Sequence, residues 1–131
     1  MTRFFTWAEF DNSVDYISKR CNISELSGIY GVPRGGLCLA VALSHKLNVQ
    51  IIETPKKDSL IVDDVFETGL TLNKYKSIEG AKFFVLFSKK EPIWWEAVNL
   101  SPQKEWIVFP WENKENALNE QKVYNYKRTI K

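Results

Sequence analysis

A chain of 131 residues has room for one domain with a substantial core and little besides. Its 44% hydrophobic and 26% charged residues are ordinary for a globular protein, and a net charge of +2 is too small to argue for nucleic acid or an anionic membrane surface. No apolar run approaches the roughly 20 residues that span a bilayer, and MTRFFTWAEF lacks a signal peptide's long apolar stretch, so a cytoplasmic protein is expected, with no membrane and no nucleic-acid partner.

Thr6 and Glu9 stand at capping-box spacing, with Phe10, Val14 and Ile17 following at helical intervals; the pattern predicts a helix from Trp7 to about Arg20. SGIYGV reads as a short strand, PRGG punctuates it, and LCLAVALSHKL continues as an apolar helix. VQIIET reads as a strand, PKKD as a polar turn and SLIVDD as another strand. LTLNKYKSI is expected to be helical and KFFVLFS to be a fourth strand. Beyond Lys89 and Lys90 the pattern loosens, EWIVF being the clearest remaining strand, and the polar tail NKENALNEQKVYNYKRTIK is expected to be at most partly ordered.

Strands alternating with helices indicate an α/β layered fold. SGIYGV, SLIVDD and KFFVLFS are apolar on both faces, as in a central parallel sheet covered by helices. Cys21 and Cys38 stand far apart without CxxC spacing, which fits reduced thiols better than a disulfide framework. His45 is the only histidine, so neither a His-built metal site nor a Ser–His–Asp triad is in view.

In open α/β sheets ligands bind beyond the carboxyl ends of the strands, and three strands here end in polar clusters: PRGG, DDVFETGLT and the lysine pair. The second runs an apolar strand straight into Asp63 and Asp64, then into Glu67 and a glycine, Gly69, flanked by Thr68 and Thr71. A glycine allows positive φ, so successive N–H groups can turn inward as an anion nest at a helix start. The upstream carboxylates would repel phosphate; they suit hydroxyls or a divalent cation, and a sugar phosphate with Mg²⁺ presents all of these. GxxxxGK[ST] is absent, which excludes a Walker A loop. From the residues alone a bland reading stays open, in which Asp63 and Asp64 cap the turn, Lys89 is an exposed strand-end lysine, with Lys90 a competing candidate for its role, and Trp106 belongs to a core. Trp94 and Trp95 read as packing or interface.

IVDDVFETGLT resembles the phosphoribosyl-pyrophosphate motif of the type I phosphoribosyltransferases. IYGVPRGGLCLAVALSHKL is similar to the pyrophosphate loop and following helix of the purine members, and TWAEF to their N-terminal helix. FVLFSKK and EWIVFPWE resemble the base-binding segments of the bacterial xanthine-guanine enzymes. Together these stretches touch most of residues 5 to 112 in the family's order.

The resemblance implies a three-layer phosphoribosyltransferase-type fold, with a largely parallel central sheet and a small base-binding hood from the C-terminal part. It implies a single domain over residues 1–131 and Mg²⁺-dependent transfer of phosphoribose from phosphoribosyl pyrophosphate to guanine, xanthine or hypoxanthine. A homo-oligomer is expected. Carried over by position, Asp63 and Asp64 would contact the ribose hydroxyls and the Mg²⁺ around them, and Glu67 takes the place of an aspartate near the purine imidazole nitrogen. Thr68, Gly69, Leu70 and Thr71 would cradle the 5′-phosphate, while Arg34 and Gly35 would hold pyrophosphate. Lys89 would donate to the purine exocyclic oxygen, Trp106 would stack on the base, and Ile107 would line its pocket. The pyrophosphate loop of the resembling enzymes often contains a non-proline cis peptide, here Pro33–Arg34.

The chain departs from the pattern in two places. Glu67 replaces aspartate, and between Leu47 and Ser59, where the family usually inserts a long mobile lid, NVQIIETPKKD leaves room for a short strand and a turn. Lid closure excludes water from a reactive intermediate, so the alternative function is a weakly catalytic or non-catalytic nucleotide-binding module. If a neighbouring subunit covers the crevice, PIWWEAVNL is the best available cover.

Overall fold

The computed structural model describes residues 1–129. In chain order its elements are β1 (Thr2–Phe4), α1 (Trp7–Ser18), β2 (Gly28–Gly31), α2 (Leu37–Leu47), β3 (Ser59–Phe66), α3 (Leu70–Asn73), β4 (Lys82–Ser88), β5 (Glu96–Leu100), β6 (Trp106–Val108) and α4 (Lys114–Thr129). Among the described residues no helix is long and apolar enough to cross a membrane. The chain groups into two compact units, a sheet unit of Asp11–Gln103 and a terminal unit of Met1–Phe10 with the stretch from Lys104 onward.

The sheet unit carries four strands in the order β2-β3-β4-β5, all parallel. The expected α/β class and parallel sheet are therefore present, with SGIYGV, SLIVDD and KFFVLFS side by side. Leu60, Ile61, Val62, Val85, Leu86 and Phe87 have no measurable exposure, which is why these strands read as continuous apolar runs rather than alternating ones. β5 escaped the sequence reading because EAVNL has the half-exposed pattern of an edge strand.

Three expected elements are shorter than their patterns suggest. α1 begins with the capping box: Glu9 N donates to Thr6 Oγ1 at 3.1 Å and Thr6 N to Glu9 Oε1 at 3.2 Å. It stops at Ser18 rather than Arg20 because the chain tightens to three-residue bonds, Arg20 N to Ile17 O and Cys21 N to Ser18 O. VQIIET contributes a single bridge, Ile51 beside Ile29, rather than a strand; Pro55 follows directly and has no N–H to continue a ladder. The expected helix LTLNKYKSI holds α-geometry only over Leu70–Asn73, then proceeds through successive tight turns, Tyr75 N to Leu72 O and Ile78 N to Tyr75 O.

In the terminal unit β1 pairs in parallel with β6, placing Arg3 beside Ile107 and Thr2 beside Trp106. Phe109 stacks on Trp111 with centroids 4.8 Å apart, and Trp7 and Phe10 close on the same tryptophan. The tail is a helix instead of a partly ordered segment: Asn113 Oδ1 accepts from Asn116 N at 3.0 Å as a cap, and Ala117 is buried. Residues 130–131 of that expectation lie outside the described residues.

Candidate active site

The carboxyl ends of β2 and β3 meet closely. Gly31 lies in register with Val62, and Val32 N donates to Val62 O at 2.9 Å, so the loop that follows β2 passes directly over Asp63 and Asp64. The Pro33–Arg34 peptide in that loop is cis, as expected. Gly36 N donates to Val32 O at 2.8 Å and Ala40 N to Gly36 O at 3.0 Å, turning the chain into α2. Gly35 rests on the Asp64 carboxylate so tightly that a Cβ there would lie 2.6 Å from Asp64 Cγ. Arg34 is exposed beside it. The structure thus brings Arg34 and Gly35 together with the carboxylate pair.

Asp63 is only 8% exposed. Its Oδ1 accepts from Asp64 N at 2.8 Å, and Asp64 Oδ1 accepts from Val65 N at 2.7 Å. Both bonds fall within β3, so the bland reading in which the acids cap the following turn does not describe them. Burial first, and the neighbouring Asp64 carboxylate second, push the Asp63 carboxyl up to about 8. A desolvated carboxylate next to another is an arrangement that a cation or a set of hydroxyl donors relieves.

A magnesium ion fits these residues in one particular way. Mg²⁺ usually keeps several waters and takes one or two carboxylates together with substrate phosphates. Asp63 and Asp64 supply two carboxylates, the number such an ion takes from protein, and among the described residues no group of three His, Cys, Asp or Glu is placed to hold a metal ion.

β3 ends at Phe66, and Glu67 follows half-buried. Gly69 takes φ 85°, and Asn73 N donates to Gly69 O at 2.8 Å, starting α3. Thr68 and Thr71 are exposed, and Thr68 Oγ1 accepts from Leu70 N at 3.4 Å. Leu70 is 76% exposed, so only its backbone N–H is suited to an anion. The loop sits on Phe66, whose ring stacks on Trp95 at 3.7 Å and 12°. Trp95 is 5% exposed and Trp94 packs edge-on against Phe66 and Phe83. These tryptophans support Phe66, on which the Gly69 loop rests. Within PIWWEAVNL the Trp95 ring is thus committed inward, while Ile93 stands 85% exposed.

Lys89 follows β4, with its backbone N donating to Phe66 O at 2.8 Å, next to Glu67. Its Nζ donates to Pro102 O at 2.9 Å and to Ser101 Oγ at 3.1 Å. A cavity of about 340 Å³ lies here, lined by Ser88, Lys89, Lys90, Glu91, Leu100, Ser101 and Pro102, a volume in the range of small-molecule sites. Ser88 and Ser101 had no signal in the sequence. In the terminal unit Trp106 is half-buried with its ring 5.4 Å from Tyr124, and Ile107 is buried.

The segment before β3 lies at the other end of the sheet. Ser27 N donates to Asp58 O and Asp58 N to Glu79 O, each at 3.0 Å, which ties residues 57–58 to the chain just before β2 and β4. It runs beside the amino ends of the strands, away from Arg34 and Thr68, so it provides no lid.

No protein-family model matches the chain. It is 26% identical to the xanthine-guanine phosphoribosyltransferase of Idiomarina loihiensis over 140 residues, spanning 83% of this chain and 86% of that protein. The solved purine phosphoribosyltransferase of Pyrococcus horikoshii superposes with a TM-score of 0.71 at 27% identity, covering 86% and 94% of the two chains. The xanthine-guanine-hypoxanthine phosphoribosyltransferase of Helicobacter pylori gives the same TM-score, 0.71, at 18% identity over 92% and 99%, a likeness of fold. In sequence and in fold the chain is similar to the type I phosphoribosyltransferases, bacterial xanthine-guanine enzymes among them.

Proposed function

We propose that this chain, with the fold of the type I phosphoribosyltransferases and a sequence likeness to their purine members, is itself a purine phosphoribosyltransferase. It transfers phosphoribose from phosphoribosyl pyrophosphate to guanine, xanthine or hypoxanthine, releasing the nucleoside monophosphate and pyrophosphate, and serves purine salvage. The observation that carries the reading is the seating of Gly35 on Asp64, because it joins the pyrophosphate loop and the acidic pair in one site.

Arg34 and the backbone at Gly35 bind pyrophosphate, and the N–H groups and hydroxyls of Thr68, Gly69, Leu70 and Thr71 hold the 5′-phosphate. Asp63 and Asp64 take the ribose hydroxyls and would hold Mg²⁺, which when bound supplies positive charge that stabilises the departing pyrophosphate. The two acids and Glu67 also stabilise positive charge developing on the ribose, a preorganised electrostatic effect. Glu67 lies near the imidazole edge of the base, and Lys89 donates to its exocyclic oxygen, selecting an oxo over an amino substituent because an ammonium cannot accept. Trp106 and Ile107 keep the stacking and lining roles that the resemblance implies. A single domain over residues 1–131, a homo-oligomeric state and a cytoplasmic location are parts of the same proposal.

Purified protein supplied with phosphoribosyl pyrophosphate, Mg²⁺ and a panel of purine bases should form nucleotide from 6-oxopurines and not from adenine. Tight binding of both substrates without nucleotide from any base would replace this reading with a binding module.

A further inference from the structure

We infer that two buried serines, Ser88 and Ser101, are positioning residues that set Lys89 for its contact with the base; the inference rests on the function proposed above. Ser88 is 1% exposed and Ser101 6% exposed. Ser88 Oγ accepts from Trp95 Nε1 at 3.1 Å and donates to Lys90 O at 2.6 Å, so it pins the chain on both sides of Lys89. Lys89 N is held on Phe66 O at 2.8 Å, and its carbonyl accepts from Gln103 Nε2 at 3.4 Å. Ser101 N donates to Ser88 O at 2.9 Å, which brings the Ser101 hydroxyl under the Lys89 ammonium, 3.1 Å from Nζ.

A solvated lysine at a strand end needs none of this. Lysine's four-carbon stem is flexible, and fixing it lowers the entropy lost when its ammonium meets a ligand. Burying a hydroxyl is unfavourable unless it is bonded, and both hydroxyls are bonded around the same lysine. The arrangement also gives the tryptophan pair a second use, since the Trp95 ring supports the phosphate loop and its N–H orients Ser88.

The test is a double-mutant cycle read in steady-state kinetics. Ser101→Ala should raise KM for guanine or hypoxanthine about five- to tenfold, with kcat and KM for phosphoribosyl pyrophosphate within about twofold of wild type. In a Lys89→Ala background the same change should leave the base KM where Lys89→Ala put it, because the hydroxyl acts through the ammonium. Thermal melting of each variant confirms that the folded state is being compared. An unchanged base KM in Ser101→Ala, or an effect that adds fully to that of Lys89→Ala, overturns the inference while leaving the proposed function standing. A wild-type protein that neither binds nor converts any purine overturns both.

Discussion

Gly35 lies against the carboxylate of Asp64 with no space for a side chain, since a Cβ would come within 2.6 Å of Asp64 Cγ. Asp64 is held in turn by Val65 N at 2.7 Å, so it has little room to retreat. Gly35→Ala must therefore lift the loop after β2 or twist the acid, and on the proposed function either displaces groups that bind phosphoribosyl pyrophosphate. The expected result is a KM for phosphoribosyl pyrophosphate raised about tenfold or more, with base affinity measured on the product nucleotide changed far less. Equal losses for both substrates would mean that Gly35 supports the fold rather than the loop's fit to the acid.

The raised Asp63 carboxyl makes a pH prediction for the ligand-free protein. Its folded value, about 8, stands above the ordinary 3.8, so the folded state binds the proton more tightly than the unfolded one. Stability from this group is full below the unfolded value and is lost progressively as pH rises from about 4 to about 8. Asp63→Asn, which cannot ionise, should flatten that slope and melt above wild type at pH 8, with the difference shrinking toward pH 4. Melting curves without metal or substrate decide it; a wild type whose stability rises steadily from pH 4 to pH 8 would contradict the burial of an unneutralised carboxylate.

Much of this site was legible in the chain because its parts are local. The capping box at Thr6 and Glu9, the strand into Asp63 and Asp64, and the glycine at 69 each announce themselves within a few residues, and each is found where expected. The parts that were missed are non-local or weakly patterned. β5 is an edge strand with a mixed face, α4 is polar and capped by Asn113, and the hydroxyls of Ser88 and Ser101 acquire meaning only when β4 and β5 pair. Tryptophans in sequence carry no sign of which way they face, and Trp95 turned inward because Phe66 offers a stacking partner.

Lys89→Ala and Asp64→Asn should separate the two substrates. Lys89 sits at the end of β4 over the cavity beside Ser101, whereas Asp64 lies under the loop after β2. A charged donor to a carbonyl contributes about 1.5–3 kcal/mol, so Lys89→Ala should weaken 6-oxopurine binding roughly tenfold or more and leave phosphoribosyl pyrophosphate nearly unaffected. Asp64→Asn should do the reverse. Calorimetric titration of each ligand into each variant checks the crossover, and identical base affinity with and without the Lys89 amine would remove it from the site.

Trp95 tests the support beneath the Gly69 loop, to which the proposed function gives the 5′-phosphate. Its ring stacks on Phe66, and Phe66 in turn abuts Gly69, where a Cβ would lie 2.6 Å from Phe66 Cζ. Trp95→Ala should lower stability by about 3–5 kcal/mol, as large aromatic-to-alanine changes in cores do, and should loosen 5′-phosphate binding. Denaturant unfolding combined with nucleoside versus nucleotide binding separates the two: a variant that loses stability but keeps its preference for the phosphorylated ligand would show that the stacked pair serves the core alone.

The missing lid bears on the chemistry itself. Asp58, at the end of the segment before β3, is tied to the amino ends of the strands by Ser27 and Glu79, and within PIWWEAVNL the Trp95 ring is committed to Phe66. On the proposed function, neither Asp58 nor the Trp95 ring closes over the acids and the loop after β2 of the same chain. A charged, electron-poor ribose at C1 that meets water before the base is hydrolysed, and in an open site fixed dipoles act through a more polar medium and stabilise it less. Turnover should accordingly fall below the common enzyme range of about 1–10³ per second, and pyrophosphate release should exceed nucleotide formation. Phosphorus NMR of a reaction with saturating Mg²⁺, base and phosphoribosyl pyrophosphate measures both products together. Pyrophosphate and nucleotide formed one to one, at a rate within the common range, would show that water is excluded without a lid from this segment.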